Sequence, residues 1–179
     1  IFKETRKLAS LFEEVSRIWY LDSGDYELHF EKIDFIKFLE DIFHEISEYE
    51  SMRDFDVSLV EVEDEVFVKS DPHELARIIE ILLEHANLYT PKDGHIKCRL
   101  SVQSKKVFLE IQQKGLGMTK EEQCSLFCPF YHLKNHLQED HFRLGLPIAQ
   151  KIMKLHQGKI YVKSDGQKST AFIVELPLV

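Results

Sequence analysis

The chain has 179 residues and a mass of 21.1 kDa, with 44% hydrophobic and 30% charged residues, enough for one core and a short appendage. Its 23 Lys+Arg against 31 Asp+Glu give a net charge of −8 without a basic run, which argues against nucleic acid or an anionic membrane as an electrostatic partner. No apolar stretch approaches the roughly 18 to 20 residues of a membrane span, and the start, IFKETRKLASLF, is neither a signal peptide nor an initiator sequence. The expectation is a cytoplasmic piece of a longer protein, and three cysteines, an odd number with no disulfide spacing, suit a reducing compartment.

From Ile1 to about Leu21, Leu8, Leu11, Phe12, Val15, Ile18 and Trp19 recur at helical spacing. Such a stripe either folds onto its own domain or forms half of a dimerising hairpin, and the second reading is preferred. Asp22-Ser23-Gly24-Asp25 marks a boundary before the alternation Tyr26, Leu28, Phe30, read as a strand. Asp34 opens a second helix carrying Phe35, Phe38, Leu39, Ile42, Phe43 and Ile46, followed by a strand pair at Val57–Val62 and Val66–Val68. Asp71-Pro72-His73-Glu74 combines an N-cap, a first-turn proline and an acid at N3, and Leu75, Ile78, Ile79, Leu82, Leu83 and Ala86 give the helix its buried face.

After the loop Thr90–Gly94, Ile96, Cys98, Leu100 and Val102 alternate and are answered by Val107, Leu109 and Ile111, a hairpin. Thr119-Lys120-Glu121-Glu122 is a capping box opening a short helix toward Leu126 and Phe127. A further helix runs from about Leu146 to Leu155, with Gly158 expected in the left-handed position at its end. Ile160–Val162 and Ala171–Leu176 close the chain around the turn Asp165-Gly166. The order implies an α/β sandwich with helices on one face of a mixed sheet.

Several blocks, in this order, resemble the ATP-binding domain of sensor histidine kinases, which has the Bergerat fold shared with gyrase-type and Hsp90-type ATPases (the GHKL superfamily). Leu75 to Pro91 is similar to the frame of the family's N box, Ile111-Gln112-Gln113-Lys114-Gly115-Leu116-Gly117-Met118 to its first glycine box, Leu126 to Tyr131 to its F box and Leu144-Gly145-Leu146-Pro147-Ile148 to its second glycine box. Glu4 to Gly24 resembles the end of the second dimerisation helix with its connection, so residues 1–22 are expected to be that helix and linker and residues 25–179 the ATP-binding-like domain. The resemblance implies a homodimer, a response regulator or another signalling protein as partner, and a parent protein that can be membrane-anchored although this segment inserts into no membrane.

The departures fall on polar positions. Where the N box carries two Asn that hold Mg²⁺ and face the phosphates, this chain has Ile81 and His85. Isoleucine offers a hard cation nothing and imidazole little; Asn87 lies about 200° around the helix from His85. The adenine-accepting Asp of the first glycine box is Gln113, an uncharged amide that retains one acceptor. Gly115 and Gly117 remain, as a tight turn if nothing more. In the second glycine box only Gly145 remains, with Phe142 and Arg143 where bare backbone would approach a triphosphate.

The expectation is a degenerate, catalytically silent member of the family that relays signals through protein contacts, with ATP and Mg²⁺ bound weakly or not at all and His85 the one weak candidate at the metal position. The alternative is an active kinase with a divergent site: Gln113 on adenine, Arg143 and Lys134 on phosphates, and His85 with Glu84 or Glu80 around the metal. Its acceptor histidine would lie on the dimerisation helix, outside this segment. A third reading, zinc on Cys128, His132, His136 and His141, rests on spacing alone. Phe127, Phe130 and Tyr131 are expected to anchor the core and lid, and His156 to be a helix-end surface residue.

Overall fold

The computed structural model describes residues 2–47, 55–58, 65–91, 94–115, 117–131 and 144–179. Five helices, α1 (Phe2–Ser23), α2 (Phe35–Ser47), α3 (Pro72–Tyr89), α4 (Lys120–Ser125) and α5 (Gly145–Leu155), accompany seven strands among these residues. The strands are β1 (Glu31–Asp34), β2 (Phe55–Ser58), β3 (Phe67–Ser70), β4 (Ile96–Gln103), β5 (Lys106–Lys114), β6 (Lys159–Ser164) and β7 (Ser169–Pro177). A five-stranded mixed sheet has the order β2-β4-β5-β7-β6, with β2 parallel to β4 and the other pairs antiparallel. β1 and β3 form a separate antiparallel pair.

α3 packs on β5 and α5, and α5 on β6, forming the helical layer over one face of the sheet. Leu75, Ile78, Ile79, Leu82, Leu83 and Ala86 are fully buried, the set expected from their spacing. Each large aliphatic among them removes apolar surface worth about 1.5–3 kcal/mol as an upper estimate. Asp71 caps α3 through Oδ1, which accepts from the Glu74 N–H at 3.2 Å, and Thr119 and Glu122 complete the capping box of α4. Cys98 faces the core from β4, where burial pushes its thiol up to about 12 and leaves it protonated.

Four local expectations are corrected. Residues 26–30 form no strand; pairing begins at Glu31, where β3 lies alongside. The strands after α2 do not pair with each other, because β2 joins β4 in the large sheet and β3 joins β1; residues 59–62 of that expectation lie outside the described residues. At the end of α5 the left-handed residue is Gln157 (φ 58°), not Gly158. Gly158 is required by space instead, since a Cβ there would meet the Glu175 carbonyl at 2.6 Å. His156 ends the helix but is only 2% exposed, with Nε2 accepting from the Asp71 N–H at 3.1 Å and Nδ1 2.9 Å from the Ile152 carbonyl.

α1 divides its apolar residues between two faces. Leu11, Ile18 and Leu21 pack inward, whereas Leu8, Phe12, Val15 and Trp19 are 67, 73, 43 and 78% exposed. No described helix is long and apolar enough to cross a membrane.

Candidate functional site

β5 alternates so that Val107, Leu109, Ile111 and Gln113 all face the helical layer. The row ends on an amide, and Gln113 is 0% exposed. Neither Nε2 nor Oε1 of Gln113 has a hydrogen-bond partner among the described residues. A buried polar group left in this state costs about 1–3 kcal/mol, so the amide fits a ligand better than it fits an apolar core. The ladder sets Ile96 of β4 and Thr170 of β7 opposite Gln113. Thr170 is fully buried, and its hydroxyl donates to Ser164 Oγ at 3.2 Å.

Beyond Gln113 the chain passes through Gly115 and Gly117. Neither has positive φ, and it is close backbone approach that selects glycine. A Cβ on Gly115 would lie 2.4 Å from the Tyr89 carbonyl, and one on Gly117 2.2 Å from the Gln167 nitrogen. Their N–H groups donate to Lys168 O (2.9 Å) and Gln167 O (3.2 Å), fixing this segment between the end of α3 and the β6–β7 turn. In that turn Gly166 has φ 78°, and Asp165 Oδ1 accepts the N–H groups of Gln167, Lys168 and Ser169 at 2.8–3.0 Å. Gly115 is thus held at backbone distance from the end of α3 and Gly117 at backbone distance from the β6–β7 turn.

Ile81 and His85 stand one turn apart on α3. Ile81 meets the first residue of α5: a Cβ on Gly145 would come 3.2 Å from Ile81 Cγ2. Gly145 thus serves an apolar helix contact. The His85 ring lies 4.7 Å from the Tyr89 ring and 5.2 Å, edge to face, from Phe172, which β7 places opposite Ile111. The donor set is one aliphatic chain and one imidazole packed among aromatics, with no oxygen at either position. These two residues do not fit Mg²⁺, and no catalytic step can be derived through it.

Glu80 and Glu84 are exposed on α3. Burial, then Glu84 and Glu45, raise the Glu80 carboxyl pKa, and burial with Glu84 raises that of Glu14 on α1, where Arg77 opposes the rise. Glu80 is thus coupled to Glu84 and to Glu45 of α2, Glu84 to Glu14 of α1, while the His85 ring packs on Tyr89 and on Phe172 of the sheet. Arg143 and Lys134 lie outside the described residues, as do His132, His136 and His141. Cys128 is exposed, and among the described residues no three His, Cys, Asp or Glu side chains are arranged to hold a metal. Phe127 packs on the core, but Phe130 is 59% exposed and is no core anchor.

Thr170, Phe172 and Tyr89 were not singled out from the sequence as site residues. Only strand register and ring packing bring them to Gln113 and His85; in sequence Thr170 and Phe172 read as ordinary strand residues of β7 and Tyr89 as the last residue of α3.

A two-layer sandwich with an unpartnered amide at the end of its central strand, Gly115 pressed against the end of α3, Gly117 against the β6–β7 turn and the start of α5 facing α3 has the architecture of a nucleotide-binding class of fold. Residues 70–179 match the family model described as histidine kinase-, DNA gyrase B-, and HSP90-like ATPase, and the chain belongs to this family. It is 27% identical over 172 residues to the signal transduction histidine-protein kinase ArlS of Staphylococcus aureus, covering 95% of this chain. Among solved structures, full-length ShkA in complex with AMPPNP matches with a TM-score of 0.80 at 19% identity, over 96% of this chain and 36% of that one. Histidine kinase ThkA in complex with the response regulator TrrA matches with a TM-score of 0.77 at 24% identity, over 98% of this chain and 49% of that one. The chain spans 12% to 38% of the length of the first curated relatives it matches.

Proposed function

We propose that this two-component histidine-kinase-like domain is catalytically silent and works as a protein-interaction and signal-relay module. The observation that carries the reading is the state of the α3 face: Ile81 is packed toward Gly145 and the His85 ring is set against Tyr89 and Phe172. Phosphoryl transfer depends on metal ions and on close placement of the triphosphate. A helix face with no oxygen donor at these two positions supplies neither. In this reading Ile81, His85, Gln113, Gly115, Gly117 and Gly145, together with Arg143, which lies outside the described residues, belong to what remains of a nucleotide pocket, residues 1–22 are the end of a dimerisation helix with its linker, and residues 25–179 are the ATP-binding-like domain.

The relay partner is a response regulator or a similar signalling protein, a reading supported by the ThkA–TrrA complex, and the parent protein acts as a homodimer on the cytoplasmic side. The test is incubation of the full-length protein with labelled ATP and Mg²⁺ beside an active histidine kinase. The expected result is no acid-labile phosphohistidine. Labelling at a rate comparable to the active kinase would overturn the proposal and establish the second reading, a working kinase with a divergent site, for which the unpartnered Gln113 amide is the favouring observation.

A further inference from the structure

The face of the large sheet turned away from the helices carries a charge opposite to that of the whole molecule. β4, β5, β7 and β6 send their buried apolar residues toward the helical layer, and alternation sends the residues between them outward. Register aligns the outward residues in rows across the strands. One row runs Arg99, Glu110, Ile173, Tyr161; the row on one side brings Lys97 and Lys163 to the same face, and the row on the other brings Phe108 and Lys159. Lys97, Arg99, Lys114, Lys159 and Lys163 are exposed there. The acids that these four strands contribute are Glu110 and Glu175. Glu175 accepts from Lys106 Nζ at 2.6 Å, and Glu110 stands opposite Arg99, where cross-strand partners of opposite charge attract. The face is therefore net positive on a chain whose net charge is −8. Lysines on the edge strand β6 deter pairing with other strands, but Lys97, Arg99 and Lys114 stand on the interior strands β4 and β5, which present no open edge.

We propose that this face docks a partner protein through an acidic segment that also carries apolar side chains. The middle of the face supplies the apolar contact: Phe108 and Tyr161 are half-buried, Ile173 lies beside Tyr161 in the ladder, and Lys163 Nζ stands 5.6 Å from the centre of the Tyr161 ring. An aromatic and aliphatic centre rimmed by cations suits a protein interface, whereas Glu110 and Glu175 within the rim oppose the continuous negative charge of a nucleic acid or an anionic bilayer. Four strands about 4.8 Å apart, at about 3.4 Å per residue along each, give a face roughly 15–20 Å by 20–30 Å. Each partner then buries on the order of 500 Å², at the lower limit of specific interfaces, so the contact is transient and salt-sensitive. The inference stands apart from the proposed loss of catalysis, because α3 packs on the other side of the sheet.

The experiment is fluorescence anisotropy of the 179-residue chain with a short labelled peptide in which Glu and Asp alternate with Leu and Phe, followed by amide NMR mapping of the bound state. Expected are saturable binding, at least about fivefold weaker at about 300 mM than at about 50 mM NaCl, and shifts concentrated on the outward residues of β4 to β7. Replacing Leu and Phe of the peptide by Ser should weaken binding at least about threefold. Lys159→Glu with Lys163→Glu should weaken it at least about tenfold without changing the melting temperature, since both side chains are exposed. Lys120→Glu with Lys154→Glu makes the same change of net charge on α4 and α5 and should leave binding within about twofold of wild type. Absence of binding, equal weakening by the two double variants, shifts confined to the helical layer, or tighter binding of single-stranded DNA or of phosphatidylserine vesicles than of the peptide would overturn the proposal. None of these measurements involves ATP, so their failure leaves the reading of the α3 face as it stands.

Discussion

Asp71 joins three parts of the molecule through one side chain and one N–H. Its Oδ1 caps α3, its Oδ2 accepts the His29 N–H at 2.8 Å, and its own N–H donates to His156 Nε2. Burial alone would raise the carboxyl pKa, but the N–H groups of His29, Glu74 and His73 outweigh it and hold the group below the ordinary value. With the folded pKa below the unfolded one, the contribution is fully present above the unfolded pKa of about 3.9 and is lost as pH falls through the lower folded value. Asp71→Asn should therefore cost about 1–2 kcal/mol at pH 7, and the gap from wild type should narrow at pH 3. Urea denaturation at the two pH values checks this; a constant gap would mean that Asp71 acts by shape and not by charge. The glycines divide in a similar way by cause. Gly117→Ala should lose about 2 kcal/mol or more of stability in the same assay because its clash is with backbone at 2.2 Å. Gly24, with φ 81° and open space around it, should lose only about 1 kcal/mol on conversion to Ala.

At the scale of elements, α1 is attached to the domain by specific polar contacts. Arg17 pairs with Glu74 in the first turn of α3 and donates to the Tyr26 hydroxyl at 3.1 Å, Tyr26 donates to Glu74, and Lys151 of α5 pairs with Asp22. Burial and the hydrogen bond to Glu74 raise the Tyr26 hydroxyl to about 12, so it stays a donor across the physiological range. Glu74→Gln should weaken this clamp: amide exchange in α1 should speed up several-fold while the exchange of β5 and β7 stays unchanged, since the core does not depend on the pair. Equal exchange in both chains would show that Leu11, Ile18 and Leu21 alone hold the helix. The sequence made α3 with its Asp71 cap and the capping box of α4 legible because their determinants lie within four residues of one another. It did not show that β2 pairs with β4 across α3, nor that His156 is buried beneath Asp71, because those contacts join residues 41 and 85 positions apart. Gln113 was read as a changed site residue from its motif, but its isolation inside the core emerges only when β4 and β7 close around β5.

For the whole molecule, the exposed outer face of α1 tests the proposed assembly. Leu8, Phe12, Val15 and Trp19 follow a 4-3-4 spacing and remain exposed while the opposite face is packed, the pattern of a seam that another helix covers. A single helix of this length contributes only half of a hairpin's surface, so the 179-residue chain should be monomeric or weakly dimeric. On the proposed hairpin reading, the full-length protein should be a homodimer. Light scattering over a range of concentrations distinguishes the two, and a firmly monomeric full-length protein would remove the hairpin reading. Phe12→Lys with Trp19→Lys should dissociate the full-length dimer without altering the melting of the domain, because neither side chain contributes to the core. If the domain is silent and the proposed dimer forms, α1 would carry its state to a partner, because Arg17–Glu74 and Lys151–Asp22 tie α1 to α3 and α5 while its outer face is the one proposed to meet a second subunit.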